Sequence, residues 1–225
     1  MKVQIYTVQS AEEALELVNL NIDHLGVTPA SRGLPGEISI KVAQDICRAV
    51  EDKIVTVALS VESSLEEIIY MVENVRPHIL HLCGPEGDIT PKMVEELKAK
   101  VDKKRISIKI MQAISVAGQE SIDLAISYGG VADYLILDTQ STDVYGIGAS
   151  GNVHDWNISK QIVESVNIPV ILAGGLSPSN VAEAIHKVAP WGVDSLTHTN
   201  KYLDGDLFIK DLDKVKDFVS ASKKA

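Results

Sequence analysis

Eight times along the chain a short run rich in β-branched residues gives way to a longer amphipathic segment. The runs cover residues 2–8, 22–27, 53–60, 78–83, 105–112, 133–138, 168–173 and 192–196. Helical periodicity follows at 39–50, 64–75, near 118–128, at 157–166 and at 212–222. Ser10 opens the first helix, with Glu13 at the third position to complete a capping box. Thr90-Pro91 and Ser177-Pro178 read as a cap followed by a proline at the first helical position. Strands that alternate with helices make a parallel sheet with right-handed crossovers. Eight such units in 225 residues fit one closed (β/α)8 TIM barrel over residues 1–225, a fold that commonly takes ~200–250 residues. The alternative is a doubly wound open sheet. That fold usually carries a glycine-rich phosphate turn after its first strand, and the turn here reads TVQSAEE.

Composition narrows the partners. The formal net charge of -10 repels a phosphate backbone, so no nucleic-acid partner is expected. A small anionic substrate remains compatible, because a local site can be positive on a negative protein. Cys47 and Cys83 fall in different elements and form no metal-ligand spacing, which points to a reduced, cytoplasmic setting with no metal. The start MKVQIYTVQSAEE turns acidic too soon for a signal peptide. No apolar run approaches the ~20 residues of a membrane helix, so no membrane partner is expected. No cofactor is assigned. Two loops are long, 28–38 and 139–155, and both follow strands. In a barrel they lie at the C-terminal face, where such proteins keep their sites.

Several segments carry a family likeness: PVILAGGLSPSNV at 169–181, PWGVD at 190–194, LILDT at 135–139 and GASGNVHDW at 148–156. Shorter pieces are HLCG at 81–84, IKI at 108–110 and VQIYTVQSAEEAL at 3–15. Together they resemble the phosphoribosylanthranilate isomerase family over nearly the whole chain. The resemblance implies an Amadori rearrangement of a small phosphorylated substrate, in which an acid helps open the ribose ring and a base removes a proton beside the resulting imine. It implies Asp138, at the end of strand six, as the acid. The family's base is a cysteine at the end of strand one, and the matching position here is Tyr6, whose ordinary pKa is ~10. The family's strand-four histidine falls at Cys83. Arg32 lies in the loop where the family meets the anthranilate carboxylate. The family's Ser-Ser-Gly turn after strand eight is replaced by residues 194–199, DSLTHT, which changes the expected phosphate site.

The residues themselves carry competing roles. Asp138 ends an apolar run at the barrel mouth and is the leading catalytic candidate; its plainer role is a cap. Gly174, Gly175, Ser177 and Asn180 can hold a phosphate near a helix N-terminus, or form a tight turn. Gly148, Ser150 and Gly151 can close as a lid. His81 and Cys83 share one face of strand four by the two-residue period, and Cys83 inside the barrel would be a substitute base. Lys109 facing inward could form a Schiff base, or else an ion pair. Thr197 and His198 stand in the altered strand-eight turn, where His198 and Tyr6 could build a new site; Tyr6 alone would fill the mouth. Three functions follow: an isomerase using Asp138 with Cys83 or Tyr6, a binding barrel that has lost catalysis, and a lyase or aldolase using Lys109. A monomer and a homodimer are equally compatible with the sequence.

Overall fold

The computed structural model describes residues 1–139, 146–147, 153–205 and 207–225. The strands β1 (Lys2–Ile5), β2 (His24–Val27), β3 (Val55–Ser60), β4 (Ile79–Leu82), β5 (Lys109–Ser115), β6 (Tyr134–Asp138), β7 (Val170–Leu172) and β8 (Gly192–Ser195) pair in parallel, in chain order. The ring closes where β8 meets β1, with Lys2 opposite Gly192 and Ile5 opposite Ser195. Closure excludes the open doubly wound sheet. The helices α1 (Ala11–Val18), α2 (Ile40–Ala49), α3 (Leu65–Val75), α4 (Pro91–Lys103), α5 (Glu120–Gly129), α6 (Trp156–Ser165), α7 (Val181–Val188) and α8 (Leu212–Lys224) follow the strands in turn. Among the described residues no helix is long and apolar enough to cross a membrane.

Both faces of each strand are buried, so the strands read as apolar runs rather than clean alternations. Val3, Ile5, Leu25, Leu80 and Phe218 pack in the outer core between strands and helices. Val57, Ile79, Met111, Ala113, Ile136 and Ile171 fill the barrel interior. At the N-terminal end, Trp191 lies 5.7 Å from His24 and 5.5 Å from Tyr134 between ring centroids. This aromatic floor leaves the C-terminal end as the place for a site.

Several boundaries differ from the sequence reading. The first strand stops at Ile5 rather than running to residue 8, because Thr7 takes φ +68°, which ends the extended run. The fifth strand spans Lys109–Ser115 and not 105–112. Arg105 is left-handed at φ 55° and its amide bonds the Asp102 carbonyl, so 105–108 belongs to the connection from α4. Ser177 does not cap α7; Asn180 holds the N-cap position. The Asn180 side chain accepts from the Ser177 amide at 2.8 Å and donates to the Gly175 carbonyl at 3.0 Å, closing a turn ahead of the helix. A 3-10 turn at Thr197–Thr199 and an antiparallel hairpin, β9 (Asn200–Tyr202) with β10 (Phe208–Lys210), were not expected.

The cap of α1 is partly as expected. Ser10 Oγ accepts from the Glu13 amide at 3.1 Å. The Glu13 carboxylate, however, accepts from the amides of Gln9 at 2.8 Å and Lys210 at 2.5 Å, which pins the hairpin to α1. Ser10→Ala is expected to cost about 1 kcal/mol of stability, the usual loss of an N-cap hydroxyl, read as a lower denaturant midpoint.

Candidate active site

Strand register sets the site. Leu137 pairs with Leu172, and Leu172 with Val193. The next residue on each strand, Asp138, Ala173 and Asp194, therefore forms one inward row near the top of the barrel. Asp138 and Asp194 lie at the base of a pocket. Gly174 and Gly175 form one wall, and Thr197 and His198 the other. Asp138 is partly buried and Asp194 is 6% exposed. Burial pushes the Asp138 carboxyl up to about 7, against the opposing hydrogen bond from the Thr139 amide. Burial also pushes Asp194 up to about 7, helped by the charge of Asp138 and opposed by Gln4 and Lys210. Two desolvated carboxyls in one pocket titrate as a pair.

The glycine wall is made for close approach. Gly174 and Gly175 have φ +77° and +64° in succession, a backbone region that favours glycine. A Cβ on Gly174 would stand 2.5 Å from Thr139 Oγ1 and 2.8 Å from His154 Nδ1. His154 bridges Thr139 Oγ1 at 3.1 Å and Ser159 Oγ at 2.8 Å, so it fixes the residue that follows Asp138. Burial lowers its pKa to about 4, so it does this as a neutral ring. Below the opposite wall, Lys210 is buried, and its ammonium donates to Asn200 Oδ1 at 2.5 Å and to the Leu196 carbonyl at 3.2 Å.

Tyr6 and Cys83 both face inward. The Tyr6 hydroxyl shares a 3.0 Å hydrogen bond with His81 Nδ1. Burial raises its pKa well above 10, with the charges of Cys83 and Asp194 adding to the effect. Burial lowers His81 to about 3, so that ring is neutral, and its Nε2 meets no partner among the described residues. The Cys83 thiol donates to the Ile147 carbonyl at 2.8 Å, and the Ile147 amide returns a bond to the Cys83 carbonyl at 3.1 Å. Burial and the nearby Asp138 push this thiol up to about 12. Both groups are protonated at neutral pH, so neither supplies the ready base that the sequence reading sought.

Two other expectations change. Lys109 does not face into the barrel. It starts β5 at the N-terminal end, its side chain is 63% exposed, and its ammonium lies 3.1 Å from Asp133 Oδ1. A lysine at this rim reaches water and a carboxylate more cheaply than the dry interior, so the Schiff-base role has no geometry to support it. Arg32 sits in the loop after β2, with its Nε donating to Glu62 Oε1 at 3.0 Å. It is not among the described residues that line the Asp138 pocket. Ser150 and Gly151, and the lid with Gly148, lie outside the described residues. Asp194, Gln4, His154 and Lys210 were missed as site residues. No periodic signal marked Asp194: residues 192–196 read GVDSL, with a single β-branched residue, Val193.

The family model described as N-(5'phosphoribosyl)anthranilate isomerase matches residues 3–221. The N-(5'-phosphoribosyl)anthranilate isomerase of Methanocella arvoryzae is 33% identical over 218 residues, covering 97% of this chain and 96% of that one. The crystal structure of phosphoribosyl anthranilate isomerase from Thermotoga maritima superposes with a TM-score of 0.79 at 25% identity, over 100% of both chains. A further structure of such an isomerase, in complex with reduced 1-(o-carboxyphenylamino)-1-deoxyribulose 5-phosphate, has a TM-score of 0.77 at 24% identity over 100% of both chains.

Proposed function

Because the chain belongs to the N-(5'-phosphoribosyl)anthranilate isomerase family, we propose that it catalyses the Amadori rearrangement of N-(5'-phosphoribosyl)anthranilate at the upper end of its barrel. The observation that carries this reading is the placement of Asp138, a carboxyl with pKa about 7 beside a left-handed glycine pair. A group with that pKa is available in its acid form near neutral pH. Protonated Asp138 gives its proton to the ring oxygen. The bond between C1' and that oxygen then breaks, and the nitrogen lone pair forms the iminium. Gly174 and Gly175 offer amides to the phosphate, with the N-terminus of α7 behind them. Thr197 and His198 face the glycines across the pocket and complete the anion site.

The test is turnover of N-(5'-phosphoribosyl)anthranilate to its ketoamine by the purified protein, together with rescue of a strain that lacks its own isomerase. Both are expected. Tight binding of the reduced product analogue without turnover would instead make the chain a ligand-holding barrel.

A further inference from the structure

The rearrangement moves two protons, and Asp138 accounts for one of them. Tyr6 and Cys83 are protonated and held in hydrogen bonds. Among the described residues that line the pocket, the remaining group that can carry a full negative charge is Asp194. Its side chain points inward from β8, in the same row as Asp138 and at the base of the same pocket. Gln4 Nε2 donates to Asp194 Oδ1 at 3.0 Å, and Gln4 Oε1 lies 3.2 Å from His24 Nδ1. Asp194 Oδ1 is thus clamped, and the chain of contacts runs down to the aromatic floor.

Resting on the isomerase reading, we propose that Asp194 is the base of this reaction, removing the proton from C2' while Asp138 serves as the acid.

Polar and titratable groups surround Asp194 on every side. Asp194 is faced by Gln4 from the first strand, Tyr6 just beyond it, Cys83 beyond the fourth, Asp138 from the sixth, His198 from the strand-eight turn and Lys210 from β10. Gln4 contributes an N–H, and Lys210, whose pKa burial lowers to about 7, contributes a cation while it is protonated; both favour the ionised form of Asp194. His24 has its pKa lowered to about 4 by burial, so it orients Gln4 as a neutral ring. Asp138 has the neighbouring Thr139 amide. Each carboxyl thus has its own donor, and the productive state is the one with the shared proton on Asp138 and Asp194 ionised.

The step balances. Asp194 takes the C2' proton. The C–H electron pair becomes the C1'–C2' double bond, and the iminium pair returns to nitrogen. The resulting enolamine takes the proton back at C1' from Asp194 and gives its O2' proton to Asp138. The ketone forms, and both carboxyls return to their starting states.

The experiment uses the full-length chain and Asp194→Asn, whose side-chain oxygen can still accept from Gln4. The expected result is a loss of kcat of about 10²–10³-fold, the scale of a missing general base, with binding of the reduced product analogue held within about threefold. The rising limb of kcat/KM against pH should vanish in the variant. If the parent protein turns over and Asp194→Asn keeps more than about a tenth of kcat, the base lies elsewhere and the isomerase reading stands. If the parent protein shows no turnover, both readings fall. If the variant loses analogue binding as well, Asp194→Ala assayed with added formate decides. Recovery of turnover supports the proposal, and no recovery assigns Asp194 to structure and overturns it.

Discussion

Asp138→Asn is expected to lower kcat by about 10⁴-fold, the upper end for a lost acid or base, while the barrel stays folded. Ring opening leaves a negative charge on the departing oxygen unless a proton arrives with it. An amide has no proton to give at that position. The plain alternative for Asp138 is a turn cap, because its Oδ1 accepts from the Thr139 amide at 2.7 Å. Asparagine can accept the same bond, so a capping residue would pass the substitution with its rate nearly intact. The pH profile gives an independent reading. Activity that needs protonated Asp138 falls as pH rises through its pKa of about 7, and this falling limb should be absent from the residual activity of Asp138→Asn.

Phe218→Ala is expected to cost roughly 3–5 kcal/mol of folding stability. Phe218 lies on α8, is fully buried and is among the largest side chains of the core between helices and strands. Its removal deletes a ring and leaves a space that the rigid barrel wall cannot collapse to fill. At roughly 2–4 °C per kcal/mol for a chain of this size, the melting temperature should fall by on the order of 10 °C. Phe218 is outside the ring of strands, so kcat per folded molecule should not change. A shift of less than about 3 °C would mean that α8 repacks around the gap.

The architecture was legible because most units announce themselves twice, once by periodicity and once by a cap. Ser39, Ser64 and Thr90 each accept from the amide three residues on, where the sequence pattern places a helix start. The hairpin after β8 was not legible. Its strands are three residues each, NKY and FIK, too short to show a period. Asp138 was legible because it ends an apolar run beside a recognisable loop. Asp194 was not, since DSLTHT reads as a polar turn, and only the register of a closed ring turns its carboxylate inward. Lys109 was misplaced for the opposite reason. It is in phase with inward Met111 and Ala113, but phase does not say how far along the barrel axis a residue stands. At the rim a long side chain bends out to Asp133.

The tether between Cys83 and Ile147 bears on how the protein meets oxidants and electrophiles. A thiol reacts as its thiolate, and a low-pKa cysteine is where peroxide, electrophilic metabolites and alkylating reagents strike first. Cys83 is buried with a pKa of about 12, and Cys47 is buried with a pKa of about 11. With proton transfer assigned to two carboxyls, the rearrangement does not depend on either sulfur staying reduced. Under that assignment the barrel is expected to keep its turnover after oxidant treatment that would disable one whose base is a cysteine.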